Sequence, residues 1–129
     1  MLNQRVILIM NNITIEGFNT AASNLGMCHF TNVTFRKNCM HYFIDESNGG
    51  AIRNHNFLNC VNCTFDGNEA RFGDAIYNDP FSSSTLADCI FVNSNSWAII
   101  SYPGKLPQLV MRIVFILIIT LKPVMGLVV

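Results

Sequence analysis

The chain has 129 residues, 8 basic and 8 acidic side chains and a formal net charge of zero. That length fits one domain, a hydrophobic share of 50% argues against disorder, and zero net charge leaves no basic footprint for nucleic-acid binding. Charged residues make up 12%, about half the usual share, and asparagine takes their place, 16 Asn standing against 16 Asp, Glu, Lys and Arg together.

Residues Met1 to Met10 carry one basic side chain, Arg5, and an apolar run from Val6 to Met10. The run is shorter than the apolar region of a signal peptide and no small-residue cleavage site follows, so no signal peptide is predicted in this frame. From Asn12 onward a repeat governs the fold. Four elements share one pattern: Asn12-Ile13-Thr14-Ile15, Asn32-Val33-Thr34-Phe35, Asn62-Cys63-Thr64-Phe65 and Asp88-Cys89-Ile90-Phe91. Each opens on an amide or acid and then sets two apolar side chains two residues apart, which a strand places on one face. A turn residue follows each: Gly17, Asn38, Gly67 and Asn68, and Asn93. A second element recurs between them: Gly49-Gly50-Ala51-Ile52, Gly73-Asp74-Ala75-Ile76 and Ser96-Trp97-Ala98-Ile99. One unit therefore reads short strand, turn, loop, small pair, Ala-Ile strand, turn, and three to four units cover residues 6–101. No 11-residue stretch before residue 108 keeps helical spacing, so little helix is predicted there.

Short strands in repeats of 20 to 30 residues, without helices, select among few architectures. The Leu-x-x-Leu-x-Leu consensus of leucine-rich repeats is absent, and a propeller blade is longer. The prediction is all-β: a right-handed parallel β-helix of about four short coils, equivalent strands stacking about 4.8 Å apart. Stacking puts like on like. Ile15, Phe35, Phe65 and Phe91 are predicted to form one internal ladder, Ile13, Val33, Cys63 and Cys89 a second, and Ile52, Ile76 and Ile99 a third on another wall. Asn12, Asn32, Asn62 and Asp88 should stack at a turn. Gly49, Gly50 and Gly73 permit the tight corner before the Ala-Ile strand.

The pairing of Gly49-Gly50-Ala51-Ile52 with Phe35-Arg36-Lys37-Asn38 and Phe65-Asp66-Gly67-Asn68 resembles the repeat of polymorphic outer membrane proteins. It is similar also to the adhesin-like surface proteins of methanogenic archaea. The resemblance covers roughly residues 10–100. Gly73-Asp74-Ala75-Ile76 departs from it at one glycine, Ser94 replaces the asparagine after Phe91, and Ser96-Trp97 replaces the glycine pair. It implies an extracellular β-helical stalk or adhesive passenger without catalytic activity or cofactor, in contact with surface glycans or proteins of other cells. Loops 39–48 and 77–85 would carry the specificity.

Several residues are candidates for chemistry. Asn12, Asn32 and Asn62 each begin an N-x-T sequon, an acceptor for glycosylation in an exported protein; all three are also products of the repeat. Asp66, Glu69, Asp74 and Asp79 fall close together, and with Asp88 in step a polysaccharide lyase or hydrolase is the alternative reading, Asp66, Asp74 or Asp88 supplying the acid. Acids spread along one coil and interleaved with Arg71 and turn glycines read more simply as solvated loops. Among five cysteines, Cys60-x-x-Cys63 stands alone, without the second CxxC or the spaced histidines of a zinc site, so no metal is predicted. Cys63 and Cys89 read as small core residues, while Cys28 and Cys60 have no assigned role. Phe81, Trp97 and Tyr102 are aromatic candidates for carbohydrate contact, with Trp97 better suited to packing at the corner.

After Pro103-Gly104-Lys105-Leu106-Pro107 the pattern breaks. Residues 109–129 contain no asparagine, and their longest uncharged run, Ile113 to Leu121, is under half of a membrane span. This tail reads as a short membrane attachment, as a hydrophobic helix or strand capping the repeat, or as the product of a frame shift. The expected organisation is therefore a repeat segment at 1–102, a linker at 103–108 and a hydrophobic tail at 109–129. A remnant without function is the third reading, since about four coils approach the minimum for a stable repeat array.

Overall fold

A computed structural model of the chain describes residues 7–39, 48–101, 109–112, 115–117 and 124–125. All regular structure among them is strand. In chain order these are β1 (Ile7–Asn11), β2 (Thr14–Glu16), β3 (Ala22–Asn24), β4 (Met27–Thr31), β5 (Thr34–Arg36), β6 (Ile52–Asn54), β7 (Phe57–Val61) and β8 (Thr64–Asp66). There follow β9 (Ile76–Asn78), β10 (Ser83–Ala87), β11 (Ile90–Val92), β12 (Ile99–Ser101), β13 (Leu109–Arg112), β14 (Phe115–Leu117) and β15 (Val124–Met125). They form three five-stranded sheets: sheet A in the order β1-β4-β7-β10-β13, sheet B containing β2, β5, β8, β11 and β14, and sheet C containing β3, β6, β9, β12 and β15. Every pairing is parallel. Three successive strands, one per sheet, make a coil, and the coils stack as in a β-helix.

The predicted ladders are the register. Ile15, Phe35, Phe65 and Phe91 face one another along sheet B. The rings of Phe35, Phe65 and Phe91 stack at 5.0 and 4.8 Å between centroids, with interplanar angles of 9° and 3°. Phe30 meets Phe35 edge-on at 5.2 Å. Such contacts add about 0.5–1.5 kcal/mol per pair to the gain from burial. Val33, Cys63 and Cys89 are buried in the row beside them, and Ile52, Ile76 and Ile99 are buried and in register along sheet C.

Two left-handed residues bracket the sheet-B strand of each coil. Asn12, Asn32, Asn62 and Asp88 precede it with φ of 56°, 54°, 54° and 53°; Gly17, Lys37, Gly67 and Asn93 follow it with φ of 78°, 50°, 62° and 57°. Asparagine, aspartate and glycine tolerate this region best, which is why they fill all of these turn positions but that of Lys37. The bends keep the ladder hydrogen bonds unbroken, Asn12 N donating to Thr31 O at 3.0 Å and Asn32 N to Val61 O at 3.1 Å.

The structure differs from the two-strand unit expected from sequence. A third wall, sheet A, lies in each coil ahead of the N-x-T bend. Its inward rows are Leu8-Cys28-Leu58-Ser84 and Met10-Phe30-Cys60-Leu86. These rows share a lack of charge but neither side-chain volume nor a single residue type, so they do not read as a repeat. Unequal spacing of the repeats is absorbed mainly in the B-to-C connections, 17–21, 37–51, 67–75 and 93–98.

The segment 77–85, expected to be a loop, is mostly strand. Only a short corner separates β9 from β10, with Ser82 N donating to Asp79 O at 3.0 Å. Ser82 and Ser84 are buried, and the run of serines there is an alternating strand rather than a polar loop. The hydrophobic tail contributes β13, β14 and β15, adding one strand to each sheet. Among the described residues no helix is long and apolar enough to cross a membrane.

Candidate functional site

The outer face of sheet A carries a surface groove. Parallel register aligns His29, Asn59 and Thr85 in one outward row and Met27, Phe57 and Ser83 in the next. Together they line a shallow groove of about 190 Å³. Phe57 is exposed at its edge, and His29 Nδ1 lies 3.5 Å from Asn59 Nδ2. Among the described residues no carboxylate, lysine or arginine lines the groove. An apolar patch beside amide, hydroxyl and imidazole groups can take a neutral ligand that has both an apolar face and hydroxyls. Sequence reading missed it because none of these residues belongs to the repeat; the available signal was the outward half of four strands whose inward half is apolar.

The candidate acids do not converge. Asp66 lies on the outer face of sheet B and accepts a 2.6 Å hydrogen bond from Asn93 Nδ2. Asp88 is exposed at the left-handed bend before β11. Asp74 is fully buried in the corner before sheet C, taking hydrogen bonds from Ala70 N at 3.2 Å and Ser96 N at 2.7 Å. Burial pushes its carboxyl above the ordinary carboxylate range, against the lowering effect of those hydrogen bonds. This explains the departure from Gly-Gly: the side chain at 74 caps two backbone N–H groups. Asp79 pairs instead with His55 across the corner between sheets C and A. Among the described residues no three His, Cys, Asp or Glu side chains are grouped so as to hold a metal.

The three sequons lie side by side. Asn32 Nδ2 donates to Asn12 Oδ1 at 3.0 Å, and Asn62 Nδ2 donates to Asn32 Oδ1. The side chains are exposed, but in Asn32 and Asn62 the nitrogen a glycan would occupy is held in the ladder.

Two further amide ladders are buried. Asn24, Asn54 and Asn78 close the sheet-C strands: Asn24 Nδ2 donates to Asn54 Oδ1 at 2.8 Å, Asn54 Nδ2 to Asn78 Oδ1 at 2.9 Å, and Asn78 Nδ2 to Ser84 Oγ at 2.7 Å. Asn38 and Asn68, from the Phe-x-x-Asn motif, turn the chain after sheet B. Asn38 Nδ2 reaches Asn68 Oδ1 at 3.0 Å and Ile15 O at 3.1 Å, and Asn68 Nδ2 reaches Phe35 O at 2.9 Å. These residues satisfy backbone carbonyls that the corners would otherwise strand.

All five cysteines are free thiols, with Cys28, Cys60, Cys63 and Cys89 buried. Cys89 Sγ lies 3.5 Å from Cys60 O, and Cys63 Sγ lies 3.4 Å from Phe30 O. Burial raises the Cys60 thiol, and the hydrogen bond with Cys63 raises that of Cys89. The glycine corner is tight: a Cβ on Gly50 would overlap the Asp74 carbonyl oxygen and lie 2.7 Å from that of Glu69. Phe81 is exposed and Trp97 half-buried. Tyr102 and most of the proposed loop 39–48 lie outside the described residues. Compared with known proteins, the chain matches no family model, no curated protein and no solved structure.

Proposed function

We propose that this chain is a right-handed parallel β-helix acting as a non-catalytic, adhesin-like element of a cell surface, which contacts glycans or proteins of other cells through its outer faces. The right-handed sense follows from the strong bias of parallel β crossovers. The observation that carries the reading is the contrast between scattered acids and an outer groove that, among the described residues, no carboxylate, lysine or arginine lines. Asp66 on the outer face of sheet B, Asp74 in the corner before sheet C and Asp88 at the bend before β11 lie apart, while Met27, His29, Phe57, Asn59, Ser83 and Thr85 meet in one groove. Burial shields four of the five thiols, all but Cys39, from oxidants.

Binding of the purified chain to a glycan array and to whole cells tests the proposal. The expected result is binding that Phe57→Ala and Asn59→Ala, both on the outer face, reduce at least tenfold while the strand spectrum is unchanged. No binding to any glycan or cell overturns it. Release of reducing ends or unsaturated products from polygalacturonate with Ca²⁺ present would establish the enzymatic alternative instead.

A further inference from the structure

We propose that the turn Asp79–Ser82 is a second subsite of the sheet-A groove, with Phe81 as its stacking platform, and that groove and turn together take a neutral oligosaccharide of at least two pyranose rings. The proposal rests on the reading of that groove as a binding surface and adds the class of its ligand.

The corner between sheets C and A is two residues long in the first two coils, Leu25-Gly26 and His55-Asn56, and four residues long in the third, Asp79-Pro80-Phe81-Ser82. The core does not use the added length. Register is regained at Ser83, opposite Phe57, and Ser82 and Ser84 are buried. Pro80 and Phe81 are pushed outward, and Phe81 is 70% exposed. The turn is nevertheless fixed. Ser82 N and Ser82 Oγ both donate to Asp79 O, at 3.0 and 2.8 Å. Neither Pro80 nor Phe81 has a positive φ, so the hydrogen-bonded turn is of type I, with proline at the position whose φ it presets. Asp79 N donates to Asn54 O of the preceding coil at 3.0 Å, and the Asp79 carboxylate pairs with His55 there. Ser83 N, just after the turn, donates to Asn56 O at 2.8 Å. A large apolar ring at this exposure contributes little to the fold. On an ordered mount it gives a ligand a contact surface that needs no further ordering on binding.

Phe81 stands where a chain-like ligand would leave the groove. Two peptide steps hold its Cα within about 7.6 Å of Ser83 Cα, and Ser83 lines the groove beside the exposed Phe57. Adjacent strands lie about 4.8 Å apart, so one short oligosaccharide reaches both rings. The lining selects the chemistry. A pyranose offers a face of C–H groups, which packs on an aromatic ring, and an edge of hydroxyls, which donate and accept at once. Phe57 and Phe81 serve the faces of two successive rings. The Asn59 amide and the Ser83 and Thr85 hydroxyls, which also donate and accept, serve the edge. Among the described residues no carboxylate, lysine or arginine lines the groove, and the carboxylate at the turn already pairs with His55. A sialylated, sulfated or uronate ligand would bring a charge into the groove with no opposite charge to meet it.

The test is an array of glucose-, galactose- and mannose-based oligosaccharides of one to four rings, printed beside sialylated, sulfated and uronate counterparts. Calorimetric titration of the full chain with the neutral members so selected follows. The expected result is binding confined to neutral glycans, unchanged by added salt, and at least tenfold tighter for two or more rings than for one. Phe81→Ala should erase that gain from chain length, and Phe81→Tyr, which keeps the ring, should retain it. The side chain is exposed, so circular dichroism should show an unchanged strand spectrum for both variants. Binding only to charged glycans, or a single ring binding as well as several, overturns this proposal and leaves the surface-binding reading standing. Oligosaccharide binding that Phe81→Ala does not change has the same consequence. So has attachment to cells that protease treatment abolishes and glycosidases do not, the mark of a protein partner. Silence toward every glycan and cell overturns both readings together.

Discussion

The first and third coils are built from the same pattern and meet different fates. In the third, Cys63 and Phe65 are sealed, with coils on both sides. In the first, Ile13 and Ile15 hold the same positions, yet Ile13 is 44% exposed and Ile15 only half-buried. An inward position in a stack is buried by its neighbours along the axis as much as by its own coil. Stability is accordingly a sum of coil-to-coil contacts, and identical sequence patterns carry unequal energetic weight according to their place in the row.

The largest effect tests this inequality. Phe65 sits between Phe35 and Phe91 with both faces stacked, and Phe65→Ala should cost about 3–5 kcal/mol. Ile15→Ala, at the equivalent position but only half-buried, should cost less than half as much. Urea denaturation of both variants gives the difference, and equal losses would break the comparison.

How much of this was legible in sequence depends on what each row demands. Sheet B and sheet C rows repeat their residue type, because a phenylalanine stacks best on phenylalanine and the left-handed bends select Asn, Asp or Gly. They announce themselves as Asn-x-Thr-Phe and Ala-Ile. Sheet A rows demand only an uncharged side chain, so Leu8, Cys28, Leu58 and Ser84 share one row without one common type. The buried Asn24-Asn54-Asn78 ladder had a signal in the Ala-Ile-x-Asn runs at 51–54 and 75–78, which lay beyond the four-residue elements in which the repeat was recognised. The outer groove had only the weak signal of the outward half of the sheet-A strands, since outward positions are free of the stacking constraint. The tail concealed its strands because a stretch without asparagine lacks the bends by which the other coils are recognised.

A smaller loss is expected at the corners. Gly50→Ala drives a methyl into the Asp74 and Glu69 backbone and should cost roughly 3 kcal/mol, the upper range for overpacking. Gly67→Ala meets open space, its nearest neighbour being Lys37 Cγ at 3.9 Å, and bears only the strain of φ +62°, about 1–2 kcal/mol. Thermal unfolding of the pair separates steric from dihedral cost; a larger loss at Gly67 would contradict the contact geometry.

Buried and exposed amide ladders extend the same contrast. Asn54→Ala leaves Asn24 Nδ2 without its side-chain acceptor and Ser83 O without its amide donor, and should cost about 2 kcal/mol. Asn32 belongs to an exposed ladder where water replaces the lost partners. Asn32→Gly, which keeps the left-handed bend, should change stability by no more than about 0.5 kcal/mol. Matching losses in urea would mean that burial does not set the worth of these ladders.

The smallest effect is a slope, and it has opposite signs in the interior and at the end. Burial raises the Asp74 carboxyl above its unfolded value of 3.8, so the native state holds a proton that the unfolded chain releases. Stability therefore falls as pH rises from that value through the raised one, and the cost persists above it. Glu16 in the first coil is held below its unfolded 4.5 by the Arg36 hydrogen bond. Its contribution is present above the unfolded value and lost as pH falls through the lowered one. Urea midpoints taken from acid to neutral pH should show Asp74→Asn removing a downward slope and Glu16→Gln removing a shallower upward one. The Glu16 change is the smaller because its carboxylate is solvent-exposed and its ion pair is screened. An upward slope at Asp74 would mean that the Ser96 and Ala70 N–H groups outweigh burial, making that corner an anion cradle rather than a tightly packed turn.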